Sequence, residues 1–259
     1  MLNFKNTNIF FVVLLFVLIG LQVQYGLPVY LYPLLFVAYS LIVFYGCYNV
    51  ESNFFIPVIC SAHTEKKEIA ISFDDGPAIQ HTPEILRLLK QDNIKATFFC
   101  IGHRIAGNEA VLRQIKEEGH IIGNHSYTHS FWFDMLPGKK MLADLQQMDA
   151  EMERVVGIKP KLFRPPYGVT NPNVKKAVTN GNYTAIGWSV RSMDTVMHEE
   201  KKLLDKINKA IAPGAVFLFH DTCAITVKIL PAFIQEVKNK GYNIVPLDKL
   251  LALEAYEKV

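Results

Sequence analysis

Two adjacent acids stand where an apolar, β-branched run of the sequence ends. Asp74 and Asp75 follow residues 68–73, and a Gly-Pro pair comes directly after them. Two neighbouring carboxylates can divide two tasks, because one can bind a cation while the other takes a proton from an attacking water. The cation also lowers the cost of placing two negative charges side by side. The stretch therefore indicates chemistry on a water activated by a metal ion.

Two histidines offer matching metal donors. His125 and His129 lie four residues apart in "HSYTH", a spacing that places both side chains on the same face of one helical turn. Their imidazoles would then reach one ion, with Asp75 as the third ligand and positions left open for water and substrate. Asp74 would stay free of the metal. The structural alternatives are that the acids cap backbone groups and that each histidine is an ordinary hydrogen-bonded residue.

Short runs rich in β-branched or aromatic residues alternate with helical patterns after about residue 60. The predicted strands are residues 68–73, 96–102, 120–125, 161–168, 184–190, 215–221 and 242–247. This alternation predicts a parallel sheet with helices on the outside. Seven or eight such units favour a closed or nearly closed α/β barrel, and an open doubly wound sheet is the alternative.

Further polar side chains follow the predicted strands at their carboxyl ends. Arg164 and Tyr167 close the fourth strand, and Asp194 follows the fifth. His220 and Asp221 end the sixth. The carboxyl ends of parallel strands meet on one face of a barrel. Together with the acid pair and the histidine pair, these residues predict a single site on that face.

The first 60 residues have a different composition. No charged residue occurs between Lys5 and Glu51, and one helix of that length would run roughly 68 Å, about twice the thickness of a bilayer core. A glycine and a proline break the run in "QYGLP". We therefore predict two transmembrane helices, at about residues 8–25 and 29–48, with tyrosines near their ends as interfacial aromatics.

The chain is expected to have two parts, an N-terminal transmembrane hairpin at residues 1–60 and a barrel at residues 61–259. A hairpin places both chain ends on the same side of the bilayer, but Lys5 and the pair Lys66 and Lys67 do not fix which side. The alternative for the first apolar run is a cleaved signal peptide. The net charge is +3, and no basic window is rich in aromatics, which argues against a nucleic-acid partner.

The motifs, taken in order, resemble those of one enzyme family. "SFDDGP", "HSYTH", "RPPYG", Trp188 followed by Asp194, and "LFH" occur in the order of the five motifs of the polysaccharide deacetylases, carbohydrate esterase family 4 with the NodB-homology domain. The resemblance covers about residues 66–250. It implies a distorted (β/α)7–8 barrel of the polysaccharide deacetylase type, here preceded by the two predicted transmembrane helices.

The resemblance also implies a role for each motif residue. Asp74 resembles the general base, and Arg164 the arginine that pairs with it and orients it. His220 resembles the general acid, and Asp194 the carboxylate that holds and tunes it. The other implied groups are a metal triad of Asp75, His125 and His129, an oxyanion-binding backbone N–H at Tyr167, and acetyl-pocket walls at Trp188 and Leu218. The implied cofactor is a divalent metal ion, most often Zn²⁺ in this family.

Two positions depart from the family pattern in the fourth motif. Arg191 and Thr195 stand where another acid and a second tryptophan are frequent. Ser72 replaces the usual threonine in the first strand, which is a milder change. The metal set is unaffected by these departures. Substrate preference, however, cannot be transferred from relatives whose groove carries different side chains.

The sequence therefore predicts metal-dependent hydrolysis of N-acetyl groups from amino sugars of a cell-envelope or exported polysaccharide, such as peptidoglycan, a chitin-like polymer or poly-N-acetylglucosamine. Such a substrate places the barrel outside the cytoplasmic membrane. Alternatives on the same site are an O-acetyl polysaccharide esterase and a deformylase of lipid-linked sugars. A non-catalytic carbohydrate-binding barrel is the alternative of another class. The sequence leaves the polymer, the native metal and the oligomeric state open.

Overall fold

The computed structural model describes residues 2–257, so residue 1 and residues 258–259 of the predicted two-part division lie outside it. The α-helices are α1 (Phe4–Tyr25), α2 (Leu31–Tyr48), α3 (Thr82–Gln91), α4 (Glu109–Glu117), α5 (Gly138–Val156), α6 (Pro172–Asn180), α7 (Glu200–Lys209), α8 (Ala224–Asn239) and α9 (Leu247–Leu251). The strands are β1 (Glu68–Asp74), β2 (Thr97–Cys100), β3 (Ile121–Asn124), β4 (Leu162–Phe163), β5 (Thr184–Ala185), β6 (Val190–Arg191), β7 (Val216–His220) and β8 (Asn243–Ile244).

The strands form one parallel sheet in the order β5-β4-β3-β2-β1-β7-β6, with β8 along the start of β1. The sheet makes a half-barrel with helices outside, which confirms the predicted barrel type. Residues ahead of β1 add two isolated bridges to the sheet. Ile59 forms a parallel bridge with Ile186, and Ser61 forms an antiparallel bridge with Ala215.

Three predicted strands differ from the observed ones. The predicted strand at 242–247 is only Asn243–Ile244, because Pro246 lacks the N–H group that a ladder needs and α9 begins at Leu247. The predicted strand at 161–168 is only Leu162–Phe163, because Pro165 and Pro166 lack the N–H groups that a ladder needs and the chain turns into a short 3-10 helix. The predicted strand at 184–190 is in fact two strands, since β5 pairs with β4 while β6 pairs with β7. The residues between them cross from one edge of the sheet to the other, a course that an apolar pattern cannot reveal.

Alternation along β1 decides which of its side chains reach the barrel interior. Ile71 and Phe73 pack outward in the cluster shared with the surrounding helices. Ala70 lies in the cluster of the inner face. Because successive side chains of a strand point to opposite faces, Ser72 and Asp74 also point inward, and both are buried. The first acid of the pair therefore ends the strand inside the barrel mouth.

The helices α1 and α2 form a hairpin whose ends contact the barrel. At the barrel end, Phe4 N–H donates to the carbonyl of Phe54, and Thr170 N–H donates to the carbonyl of Cys47. Both helices are long and apolar enough to cross a membrane, with mean hydropathies of 2.1 and 1.7 and 6% of each apolar window buried. A signal sequence passes the same test of length and composition, so the membrane span stays a prediction.

The segment between the hairpin and β1 packs on the barrel. Phe54, Phe55 and Ile56 are buried in one cluster with Phe163 of β4. The barrel core therefore includes residues that come before position 61, and the division of the chain into two parts stays a prediction.

Candidate active site

The metal ligands predicted from the sequence lie together at the carboxyl ends of the strands. One ligand atom from each of Asp75, His125 and His129 lies within 4.8 Å of the other two. The Nε2 atoms of His125 and His129 are 3.6 and 3.5 Å from Asp75 Oδ1. Two imidazole nitrogens and one carboxylate oxygen are a donor set that suits a divalent cation with open positions.

Neighbouring groups leave both histidines able to bind a cation. His125 Nδ1 lies 2.8 Å from the carbonyl oxygen of Arg164, a contact that favours a proton on Nδ1 and a lone pair on Nε2. Burial and the adjacent His125 lower the pKa of His129 to about 4, so its ring is neutral at pH 7. The residues present therefore fit the predicted metal in chemistry as well as in position.

The two histidines do not meet on a helical turn, so the conformation expected from their spacing is wrong. Residues 125–129 form an irregular loop after β3, with Ser126 and His129 in the left-handed region at φ 67° and 44°. Ser126 N–H donates to Asn124 Oδ1, and His129 N–H donates to Ser126 Oγ. Local hydrogen bonds of the loop, rather than helical periodicity, bring the two rings together.

A residue of α5 outside the sequence motifs also fixes this loop. The Asp144 carboxylate accepts the Tyr127 N–H at 2.7 Å, and it accepts the Thr128 N–H at 3.3 Å and the Thr128 hydroxyl at 2.7 Å. Sequence reasoning missed Asp144, because an acid within an amphipathic helix carries no signal of the loop it will contact.

Arg164 brings a buried positive charge to Asp74. Its Nη1 donates to Asp74 Oδ1 at 2.7 Å, and its Nη2 donates to the carbonyl of Gly187 at 2.8 Å. The guanidinium is fully buried and lies 4.1 Å from the ring centroid of Phe99. The other oxygen of Asp74, Oδ2, is 3.7 Å from His125 Nε2. This carboxylate therefore adjoins the metal-type cluster without being one of its three members.

A second carboxylate pairs with His220. Asp194 Oδ1 lies 2.7 Å from His220 Nδ1, and Asp194 Oδ2 accepts the His220 backbone N–H at 2.7 Å and the Thr226 hydroxyl at 2.6 Å. Burial alone would lower the pKa of His220, but the hydrogen bond and the charge of Asp194 outweigh it, so the pKa of His220 is raised. Asp194 therefore favours the protonated form of the His220 imidazole. Thr226 was not anticipated from the sequence.

Asp221, the last strand-end acid, lies behind the loop that carries Asp75. Its side chain is fully buried and accepts the Thr82 hydroxyl at 2.6 Å. Burial raises the pKa of Asp221 to about 7. A Cβ added at Gly76 would lie 2.1 Å from Asp221 Oδ2, so only glycine permits this close approach. Asp221 therefore shapes the loop from behind.

A cavity of about 260 Å³ opens over the two histidines, both adjacent acids and His220. The three predicted substrate contacts, Tyr167, Trp188 and Leu218, are in its wall. Arg191 and Thr195, the two departures from the family pattern, line it as well. The structure thus brings the predicted site residues into one place, with the partners Arg164 and Asp194 buried behind them.

The fold and the site define a barrel hydrolase with a candidate metal centre. Comparison with known proteins gives its family. Residues 61–186 match the family model of polysaccharide deacetylases. A peptidoglycan-N-acetylglucosamine deacetylase of Bacillus cereus is 33% identical over 71% of this chain and 68% of that protein. The chain belongs to the polysaccharide deacetylase family. It is a hydrolase of amide-linked acetyl groups on polysaccharide amino sugars, with the metal dependence of that family.

Other relatives differ in length and in the sugar that they are named for. The chain is similar to a peptidoglycan-N-acetylmuramic acid deacetylase, PdaA, of Bacillus subtilis, with 30% identity over 73% of each protein. It is also similar to the peptidoglycan-N-acetylglucosamine deacetylase PgdA of Listeria monocytogenes, with 32% identity over 78% of this chain. The chain spans only 42% of the length of that relative.

Solved structures share the fold. A peptidoglycan N-acetylglucosamine deacetylase in complex with a naphthalenyl N-oxidanyl-benzamide superposes with a TM-score of 0.73 at 31% identity, covering 77% of this chain and 95% of that one. A protein of Bacillus anthracis described as a pseudoenzyme of carbohydrate esterase family 4 gives a TM-score of 0.70 at 28% identity, covering 75% and 68%. The fold alone therefore does not establish activity, which depends on the residues at the site.

Proposed function

We propose that this chain deacetylates peptidoglycan on the outer side of the cytoplasmic membrane. In this proposal the α1–α2 hairpin anchors the chain in that membrane. The observation that carries the proposal is the cluster of Asp75, His125 and His129 beside the Arg164-bound carboxylate of Asp74. The names of the relatives support peptidoglycan as the polymer, and the substrate group is the N-acetyl group of one of its amino sugars.

Asp74 is the proposed general base. Arg164 Nη1 occupies Oδ1 of this carboxylate, so Oδ2 is the oxygen that accepts a proton from the water attacking the acetyl carbonyl. General-base catalysis typically contributes about 10²–10⁴ in rate. The ion pair holds the carboxylate in one orientation and so fixes where that proton goes.

Asp75, His125 and His129 would hold the divalent cation, and Zn²⁺ suits their two imidazoles and one carboxylate. When bound, the cation supplies Lewis acidity, which polarises the acetyl carbonyl and makes the water more acidic. Arg164 connects this site to the base, because its carbonyl oxygen orients His125 while its guanidinium holds Asp74.

His220 is the proposed general acid. An amine leaves poorly as an anion, so the sugar nitrogen must receive a proton as its bond to the acetyl carbon breaks. Asp194 holds Nδ1 of the imidazole, which leaves Nε2 to donate that proton. The water oxygen ends in acetate, and the sugar keeps a free amine.

Three further residues bind the reacting group in this proposal. Trp188 and Leu218 form the walls of the acetyl pocket, and both line the cavity. The backbone N–H of Tyr167 stabilises the oxyanion, as preorganised donors do. Tyr167 lies in the short turn after β4 with φ 59°, and the residue lines the cavity.

The membrane part of the proposal rests on α1 and α2, whose apolar side chains are largely exposed. Peptidoglycan lies outside the cytoplasmic membrane, so both chain ends would face outward. Reporter domains fused to each terminus test this orientation, and activity of both reporters on the cytoplasmic side would contradict it. N-terminal sequencing of the mature protein tests anchoring, because loss of the first helix would identify it as a signal peptide.

Acetate release by the detergent-solubilised full chain tests the reaction. The substrates are N-acetylated peptidoglycan, O-acetylated xylan and an N-formylated lipid-linked sugar, for which formate is measured. We expect acetate from peptidoglycan, loss of that activity after dialysis against a chelator, and recovery with Zn²⁺. Turnover of the ester alone or of the formamide alone would contradict hydrolysis of the N-acetyl group. No turnover by metal-loaded protein would favour the non-catalytic barrel.

A further inference from the structure

A larger groove, which the hairpin helps to build, shares walls with the catalytic cavity. This groove, of about 560 Å³, lies between the end of α2 and the barrel rim. Tyr45 and Tyr48 line it from α2, while Tyr167, Trp188 and Arg191 line both the groove and the catalytic cavity. The two spaces therefore meet at shared walls.

The catalytic cavity is small compared with a glycan strand. Its volume of about 260 Å³ is below the roughly 300–1,000 Å³ of sites that enclose a drug-sized ligand. A glycan strand longer than one sugar must therefore continue outside this cavity. The shared walls make the groove beside α2 an available path for it.

The chemistry of the groove suits a sugar. Aromatic side chains present flat apolar faces with polar tips, and the C–H faces of pyranose rings pack against such faces. Glu51 adds a hydrogen-bond acceptor to the same lining and Arg191 adds a donor. A sugar hydroxyl can donate to the first and accept from the second. A purely apolar occupant such as an acyl chain would leave these polar groups without partners.

The end of α2 is fixed against the barrel, so its rings have a defined position. The Cys47 carbonyl accepts the Thr170 N–H at 3.0 Å. A Cβ added at Gly46 would lie 2.2 Å from a ring carbon of Phe54, so α2 packs closely against the Phe54 ring at this point. Tyr48 follows Cys47 directly, is 63% exposed and lines the groove.

We propose that the end of α2 forms a sugar subsite of the deacetylase, in which Tyr48 stacks on a residue of the glycan strand next to the sugar being deacetylated. The subsite rests on the proposed function, since it needs a glycan in the catalytic cavity. It gives the hairpin a role in substrate binding in addition to its predicted role as an anchor.

Binding of the N-acetylglucosamine pentamer, measured by calorimetry on the full chain in detergent, tests the subsite. All chains carry Asp74→Asn so that the ligand is not consumed. Tyr48→Ala should raise the Kd about fivefold, as expected for the loss of one aromatic contact, and Tyr48→Phe should leave it nearly unchanged. The matched control is Tyr25→Ala, because Tyr25 is the last residue of α1, is 67% exposed and lies at the other end of the hairpin.

Equal Kd values with and without the Tyr48→Ala substitution, or no binding of the pentamer to either chain, would overturn the subsite. An equal loss in Tyr25→Ala would also overturn it, since the effect would then be general to the hairpin. Acetate release from peptidoglycan by the chain with Asp74 intact is a separate measurement. Its failure would contradict the proposed function, whereas the difference in Kd between chains with and without Tyr48→Ala bears on the groove alone.

Discussion

Asp74 and Asp194 are two carboxylates that are buried to the same degree, 3% and 2% exposed, and they differ in their partners. Asp74 is held by the guanidinium of Arg164, which does not titrate in proteins. Asp194 is held against the imidazole of His220, a side chain that can gain and lose a proton. The first pair therefore holds a fixed charge arrangement, whereas the second can release a proton.

The comparison shows how one residue type serves two purposes. A carboxylate with a permanent cation on one oxygen keeps its second oxygen for a proton from water. Asp194 instead accepts hydrogen bonds from an imidazole and from a hydroxyl. Its negative charge raises the proton affinity of that imidazole. The partner, rather than the depth of burial, decides the role. The four predictions that follow test this difference, from the largest expected effect to the smallest.

Asp74→Asn should lower kcat by about 10²–10⁴, because the amide cannot accept the proton that a general base removes. Metal content, measured by mass spectrometry of the purified protein, should stay nearly unchanged, since the three proposed ligands remain. Asp205→Asn, at an exposed position of α7, is the matched control. Full activity of Asp74→Asn would show that this carboxylate is not the base.

Arg164→Lys should lower kcat on the order of 10²-fold, the scale of a small misplacement in a catalytic geometry. The guanidinium donates to Ser72 Oγ, Asp74 Oδ1 and the Gly187 carbonyl, and an ammonium cannot reproduce that planar fork. Circular dichroism and thermal unfolding separate lost activity from lost folding. The control is Arg87→Lys at an exposed arginine, and wild-type kcat in a folded Arg164→Lys chain would contradict the role of the fork.

Asp194→Asn should move the alkaline limb of the pH profile of kcat/KM to lower pH. The proposed acid is active while protonated, so activity falls as the pH rises through the pKa of His220. Asp194 raises that pKa against the opposing effect of burial, and removing its charge lets the pKa fall. Initial rates between about pH 5 and pH 10 measure the limb, and an unchanged limb would mean that His220 is not the acid being titrated.

Thr226→Val should have the smallest effect on turnover, within about threefold at the optimum, because Asp194 still holds His220 through its other oxygen. The loss of a hydroxyl that donates to Asp194 at 2.6 Å should instead lower the free energy of unfolding by about 1.5 kcal/mol, the scale of a hydrogen bond to a charged group. Denaturant unfolding measures it, with Thr179→Val at an exposed position of α6 as control. A loss of turnover as large as that of Asp194→Asn would place Thr226 among the residues that set the His220 proton.

Several features of the site could be predicted from the sequence alone. The apolar run before Asp74 predicts a buried strand that ends at the two acids. The order of strand-end motifs predicts that Asp75, His125 and His220 share one face, since parallel strands present their carboxyl ends together. These conclusions hold because each depends on residues that are neighbours in the chain, or on a rule common to all parallel sheets.

Other features depended on contacts between distant segments. Only the structure shows that Asp144 fixes the histidine loop, that Thr226 holds Asp194, and that the predicted strand at 184–190 splits between two edges of the sheet. The placement of Tyr48 beside the catalytic cavity is of the same kind. The sequence determined which chemical groups are available and on which face of the barrel they lie. The tertiary structure decided their partners, because hydrogen bonding and packing between segments far apart in the chain leave no periodic pattern in it.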